Sequence, residues 1–194
     1  MIVSRKLLVA VLLLTIAVCG LGVYVWHLGR SASQIPVQAA DARPVSPPVA
    51  GPPTPVVLFV PNDDDAGLIK QQVTIALPAA SSERGREILK ALLARCQAQG
   101  SSHPLDAAAG INEVYLTDSG LAVVDANAAF AEGHRSGILV EQLTLASVTE
   151  TLAANLANVT RVKFLIDGKE RTTLAGHADL SDAYELTAAA HLVK

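Results

Sequence analysis

Between Asn112 and Leu174, short runs that alternate apolar and polar residues flank one longer stretch with helical spacing. Asn112–Asp118 (NEVYLTD) and Leu121–Asp125 (LAVVD) are rich in Val, Leu and Tyr, with only Ser119-Gly120 between them. A two-residue connection ending in glycine suits the positive-φ turns that close hairpins, which predicts strand, tight turn, strand. Asp125-Ala126-Asn127 then reads as a strand-to-helix cap. Leu139, Leu143 and Ala146, followed by Leu145, Val148, Leu152 and Leu156, predict a helix. Arg161–Ile166 (RVKFLI) returns to alternation, with Val162, Phe164 and Ile166 on one face. Asp167-Gly168 breaks it by turn chemistry, and Thr172–Leu174 is placed to pair back.

Upstream, Val56–Val60 (VVLFV) predicts a strand ended by Pro61, and Asn62–Gly67 (NDDDAG) a polar loop. Val73–Leu77 is a second strand, stopped by Pro78. Ser81 or Ser82 is the expected cap of a helix from about Glu83 to Gln99, whose early acids Glu83 and Glu87 suit the positive end of its dipole. Ile88, Leu92 and Cys96 form an apolar strip with Leu89 and Leu93 beside it, while Arg84, Lys90 and Arg95 face outward. His103–Gly110 is an irregular crossing. The expected fold class is α/β (α+β): a two-layer sandwich of a mixed sheet with two main helices on one face, preceded by a transmembrane helix.

That helix is read from Leu7–Trp26, an apolar run softened only by Thr15, Gly20 and Gly22. Its length matches the roughly 20 helical residues that cross a hydrocarbon core, whereas a cleavable signal has an apolar region of about 7–15 residues. Tyr24 and Trp26 suit the far interface, and Arg5 and Lys6 keep the near end in the cytoplasm. Cys19 does not suit lipidation, because Val18 before it is not small and the run continues past it. Seven prolines between Pro36 and Pro55 favour extended, bent backbone, hence a semi-rigid spacer. The organisation read here is a cytoplasmic tip at 1–6, an anchor at 7–28, a Pro-rich linker at 29–55, a domain at 56–184 and a tail at 185–194. The protein is then single-pass in the cytoplasmic membrane, with its domain in the periplasm or extracytoplasmic space.

Charge narrows the partners. From Val56 onward there are 11 Lys and Arg against 17 Asp and Glu, a balance of −6 where the whole chain has −3. Nucleic-acid binders need basic patches to replace counterions, so nucleic acid is excluded, and anionic lipid suits this part poorly. Two cysteines make no disulfide framework; Cys96 reads as a small buried apolar residue.

Catalytic motifs are missing: there is no HExxH, no CxxC and no phosphate loop. Gly133-His134-Arg135-Ser136-Gly137 has the outline of a nucleophile elbow but lacks the spacing that positions its serine. An EF-hand counted from Asp63 would place Leu68 at the sixth position and Thr74 at the twelfth, so the calcium template fails. His177 and Asp179 lack a third metal ligand, and no cofactor is indicated. Glu141 and Glu150, on the second helix, do not align as an acid–base pair; Glu141 instead supports the helix start, by dipole or by bonding the preceding loop. Arg135 and Tyr184 stand in loop contexts where binding groups collect. The candidate binding residues are Arg135, Glu141, His177 and Tyr184.

Three stretches carry a family resemblance: VYLTDSGLAVVDANAAF (Val114–Phe130), GILVEQLTLASVTETLAANLANVTRVKFLIDGK (Gly137–Lys169) and LAGHADLSDAY (Leu174–Tyr184). Together they resemble the GerMN domain, the sporulation and germination module, over about Val56–Asp182. Glu141, Thr151-Leu152, Val159, Val162 and Asp167-Gly168 occupy positions typical of it. One departure is Leu92-Leu93-Ala94-Arg95-Cys96, where the family has a Leu-Leu-x-Gly-Pro turn, so a longer first helix is expected. The resemblance implies an extracytoplasmic, non-enzymatic module that meets envelope proteins or peptidoglycan. Two other readings are a cell-wall hydrolase, which needs a cleft where Asp106, Glu113, Asp125 or His177 converge, and a small-molecule-binding accessory subunit, which needs an apolar pocket.

Overall fold

A computed structural model describes residues 51–186 and Leu192. The expected anchor, most of the linker and most of the tail lie outside the described residues. No helix among the described residues is long and apolar enough to cross a membrane.

The elements run β1 (Pro53–Asn62), β2 (Gly67–Ala76), α1 (Ser81–Cys96), β3 (Ile111–Leu116), β4 (Leu121–Ala126), α2 (Ala128–Glu132), α3 (Ile138–Asn155), β5 (Arg161–Ile166) and β6 (Tyr184–Glu185). This is a mixed α+β fold. One sheet has the order β3-β4-β5-β6, with β4 and β5 parallel and the outer pairs antiparallel. Ala122, Val124 and Ala126 of β4 and Val162, Phe164 and Ile166 of β5 are buried, as strict alternation requires of a sheet covered on one face. They share a core with Ile88, Leu89 and Leu92 of α1 and Leu145, Val148 and Leu152 of α3.

The expected single sheet is in fact two: β1 and β2 form a separate antiparallel hairpin. β1 outruns Val56–Val60 at both ends because Pro53, Pro55 and Pro61 are held within it, which only an edge strand tolerates. β2 starts well before Val73, since Lys70-Gln71-Gln72 lies on exposed strand and leaves no apolar alternation to read. Thr172–Leu174 makes only an isolated bridge between Thr173 and Asp179, and the fourth strand is Tyr184–Glu185, opposite Arg161 and Val162. Neither Ser81 nor Ser82 caps α1; Ala80 takes that place without a side-chain bond. The helix also ends at Cys96, short of Gln99.

Both glycine turns form. Thr117 N–H bonds Leu121 O, so the β3–β4 connection is Asp118–Gly120, one residue longer than expected. Gly120 has φ +82, and a Cβ there would lie 2.6 Å from Asn158 O, so the turn needs glycine for both torsion and space. Asp167 and Gly168 are both at positive φ, closed by reciprocal bonds between Ile166 and Lys169. Asn127 caps α2 by accepting from Phe130 N–H.

α3 is apolar on two sides. Leu143 and Ala146 pack with Phe59 and Leu68 in a second cluster, away from the main core. Between these apolar sides runs a polar stripe, Ser147, Thr151 and Asn155, at four-residue spacing. Asn155 accepts from Val57 N–H (2.9 Å) and donates to Val57 O (2.6 Å). Thr151 Oγ1 accepts from Phe59 N–H (3.0 Å), and Ser147 donates to Phe59 O (2.5 Å). Alternation along a strand turns odd-numbered residues of β1 toward this edge. Three of them, Pro53, Pro55 and Pro61, have no N–H to offer, and Val57 and Phe59 are the two that α3 satisfies. The helix therefore takes the place of a neighbouring strand.

Asn155→Leu would leave both Val57 backbone groups without partners inside the protein. A loss on the order of 2–3 kcal/mol is expected from the cost of unsatisfied buried groups, read by urea denaturation. A variant as stable as the parent would show that the edge does not depend on Asn155.

Candidate functional site at the start of α3

Glu141 is fully buried, one turn into α3. Its Oε1 accepts from Gly137 N–H (3.0 Å) and its Oε2 from the N–H groups of Ala175 (3.0 Å), His177 (3.0 Å) and Ala178 (2.8 Å). His177 Nδ1 adds a contact to Oε1 at 3.0 Å. Burial alone would push this carboxyl up, but the donors of Ala178, Gly137, Ala175 and His177 reverse it and hold the pKa at about 2, down from 4.5. The carboxylate thus supports the helix start and also ties the 174–178 loop to it.

A second network lies three residues along. His103 Nδ1 meets Asp63 Oδ1 at 2.6 Å, and His103 Nε2 meets Thr144 Oγ1 at 2.7 Å. His134 Nε2 meets the same hydroxyl at 2.7 Å, and its Nδ1 meets Arg135 O at 2.7 Å. Arg135 in turn pairs with Asp63. His103 and Thr144 are almost wholly buried. Burial pushes the pKa of both imidazoles down; for His103 the Asp63 carboxylate works against that. Burial would raise Asp63, but His103 and Arg135 together bring it below the usual carboxylate range.

Partner chemistry assigns the hydrogens. Asp63 and the Arg135 carbonyl are acceptors, so each neutral imidazole carries its hydrogen on Nδ1 and presents a bare Nε2. Thr144 has one hydroxyl hydrogen for two such nitrogens. Its contact to Val140 O (3.2 Å) competes for the same hydrogen. The network is one hydrogen short.

The two networks bear on hydrolysis. Asp63–His103–Thr144 has the carboxylate–imidazole–hydroxyl order of an acyl-transfer relay, yet the hydroxyl is shut in and engaged by a second imidazole. Ser136 Oγ lies 3.2 Å from His177 Nδ1, the same nitrogen that faces Glu141, so no proton passes through that ring from serine to carboxylate. The other acids are held locally. Asp106 accepts from Ala108 N–H, Glu113 pairs with Arg86 at 2.7 Å, and Asp125 accepts from Gly168 N–H. No hydrogen bond or ion pair among the described residues joins Asp106, Glu113, Asp125 and His177. Among the described residues no group of three His, Cys, Asp or Glu could hold a metal ion. The Cys96 thiol is buried and pushed up to about 12 by that burial, with the Asp63 charge adding to it.

Of the four candidate binding residues, Glu141 and His177 meet directly, and Arg135 lies on the loop beside them. Glu141 cannot reach a ligand, because protein donors occupy its oxygens. Tyr184 lies apart on β6, edge-on to Phe164, where it lines an open groove of about 280 Å³ with Asp179, Asp182 and Glu185. Four residues were not foreseen: Asp63, expected in a solvated turn, and His103, His134 and Thr144. What the first turn of α3 does expose is Ile138 (63 %) and Leu139 (41 %), shortly after the half-exposed Arg135 and after Ser136, whose hydroxyl contacts the half-exposed His177.

The family description Germane, "Sporulation and spore germination", matches residues 57–172. The chain belongs to this family. Two solved structures from Bacillus subtilis show the same GerMN fold. The first GerMN domain of the sporulation protein GerM has a TM-score of 0.53 and 20% identity, covering 69% of this chain and 98% of that one. The tandem GerMN domains of GerM give 0.52 and 19%, covering 69% of this chain and 46% of that one. This chain therefore spans about half of the tandem protein. No protein of curated function matches the sequence.

Two outcomes follow from the networks. A carboxyl whose pKa falls from 4.5 to about 2 on folding contributes stability that is complete above 4.5 and lost as pH drops toward 2. Glu141→Gln should cost about 3 kcal/mol at neutral pH, at about 1.4 kcal/mol per unit, and the gap to the parent should close over that window. A gap independent of pH would refute the assignment. Thr144→Val leaves two buried imidazole nitrogens without their hydroxyl and should cost about 2–4 kcal/mol, against almost nothing for Thr172→Val at an exposed position. Equal denaturation midpoints for the two variants would count against the shared hydroxyl.

Proposed function

We infer that this GerMN-family chain is a non-catalytic, extracytoplasmic interaction module of the sporulation and germination type, anchored by residues 7–28 and docking an envelope protein through the start of α3. The observation that carries the reading is the pair Ile138 and Leu139, exposed at the first turn of a helix whose start is pinned by Glu141. Two adjacent large apolar side chains in water, bordered by Arg135 and His177, are the make-up of a small recognition patch with a polar rim. The family match supports the module, and the sealed Thr144 hydroxyl and the single-nitrogen contact of Ser136 weigh against a hydrolase. Peptidoglycan binding is the second reading, favoured by the exposed polar groups of Arg135, Ser136 and His177 on the same rim.

A photo-crosslinking residue at Leu139 of the full chain, in its native host, should yield one discrete protein adduct, and a control at exposed Glu170 should not. Ile138→Asp should reduce that adduct at least tenfold while leaving the domain folded. If Leu139 gives no protein adduct and the purified chain instead co-sediments with peptidoglycan in an Arg135-dependent way, the protein-docking reading is wrong and the polymer is the partner.

A further inference from the structure

The two edges of the β1–β2 hairpin are finished in opposite ways. β1 carries three prolines on its outer edge and has the N–H and C=O groups of Val57 and Phe59 bonded by α3. β2 has none of this. It is ten residues long, without proline and without a break in register from Gly67 to Ala76. Val73, Gln71 and Ile69 bond across the hairpin to Val56, Leu58 and Val60, because the odd residues of β1 face α3. Leu68, Lys70, Gln72 and Thr74 must then turn their N–H and C=O groups away from β1. No hydrogen bond within the described residues reaches the outward groups of Lys70, Gln72 and Thr74, which are exposed, whereas Leu68 is fully buried and stands outside the open edge. Proteins normally blunt such an edge with prolines, charges, bulges or a covering element; here Lys70 is the one charge along it.

We propose that β2 pairs antiparallel with β2 of a second copy of the chain, about a two-fold axis at Gln72, to make a continuous sheet β1-β2-β2-β1. The backbone requires an extended strand as occupant, and the side chains fit their own copy. Antiparallel pairing through outward-facing groups joins even residues to even residues, and the axis at Gln72 meets that condition. It sets Gln72 opposite Gln72 and Lys70 opposite Thr74 on each side, so the exposed stretch of the strand is used and no like charges meet. On the other face it sets Ile69 against Ile75 of the second copy, twice. Ile69 is 43 % exposed, one of four exposed large hydrophobic side chains among the described residues, and the pairing covers it. Shifting the axis to Lys70 would oppose two ammonium groups. A closed two-fold contact also ends the edge and forms no open chain of copies. This surface is separate from the start of α3, so either can hold without the other.

The test is the oligomeric state of the purified full chain by analytical ultracentrifugation, for the parent and for Gln72→Pro. Proline at 72 removes an outward N–H as Pro55 and Pro61 do on β1, and leaves the hairpin bonds in place. The parent should be a dimer and Gln72→Pro should weaken it more than tenfold, with an unchanged circular dichroism spectrum. A second variant guards against misfolding: Gln72→Cys in a Cys19→Ser background should form a disulfide-linked dimer under mild oxidation, and Thr54→Cys, on β1 away from the edge, should not. A monomeric parent overturns the proposal, as does a dimer indifferent to Gln72→Pro with no crosslink at 72. A monomer whose Lys70, Gln72 and Thr74 amides are protected from hydrogen exchange would also overturn it, since another extended segment would then hold the edge.

Discussion

A β-strand edge needs partners for its backbone, and here one helix supplies them from its side chains. Four polar residues of α3 fall on one line: Thr144, Ser147, Thr151 and Asn155, separated by three or four residues. Read toward the helix start, they meet β1 in order. Asn155 bonds Val57, Thr151 and Ser147 bond Phe59, and Thr144 reaches the hairpin tip through His103 and Asp63. The helix and the strand thus run antiparallel, locked along their length by hydrogen bonds in place of a third strand. The β1–β2 hairpin, marginal on its own as two-stranded ribbons are, becomes part of the domain through this line and through Val56, Leu58 and Val60 in the main core.

Such a line carries a cost that apolar packing would not. Thr and Ser inside a helix are poor helix formers, and each buried hydroxyl must find a partner. The flanks of the stripe offset this, since Leu145, Val148 and Leu152 enter the main core and Leu143 and Ala146 the second cluster. The arrangement specifies register more strictly than apolar contact can. Sliding α3 by one turn would set Thr151 opposite Val57 in place of the Asn155 amide, and one hydroxyl cannot reproduce the amide's separate donor and acceptor. At the helix start the same logic continues with charge. Glu141 gathers backbone N–H groups from its own cap and from the 174–178 loop, so the last segment of the domain is positioned by the same helix.

Legibility in the sequence followed whether a feature was local. The hairpin Asn112–Asp125, the glycine turns at 120 and 168, the cap at Asn127 and the length of α3 depend on neighbours within a few residues, and their patterns were readable. The amphipathic face of α1 was readable for the same reason, although its cap was not, because Ala80 does the work without a side chain. The hairpin of β1 and β2 was half readable: Val56–Val60 showed as apolar, but β2 is exposed along Lys70–Gln72 and had no alternation to betray it. The second sheet was invisible, since the groups that satisfy the outer edge of β1 lie 88 to 98 residues away on α3. A signal existed in Ser147, Thr151 and Asn155 at four-residue spacing inside an apolar helix. The histidine network was beyond reach, because His103 and His134 come together only through Thr144 and the hairpin tip.

The placement of polar groups also bears on the interaction role proposed for this domain. Catalysis needs reactive groups that face a substrate and change partners during turnover. Here Glu141, Asp63, His103 and Thr144 face the protein itself and join four chain segments: the hairpin tip, the crossing after α1, the start of α3 and the 174–178 loop. The chemistry these groups offer is positional. What they hold in place is a helix end bearing Ile138 and Leu139 in water, on a frame whose hairpin has one edge closed by proline and hydroxyl and the other left with its backbone groups outward. Rigid support beneath exposed apolar side chains lowers the ordering cost of association, because little of the surface has to be fixed on contact. The surfaces left unfinished are therefore the informative ones, and one of them, the start of α3, is bonded by the polar network itself.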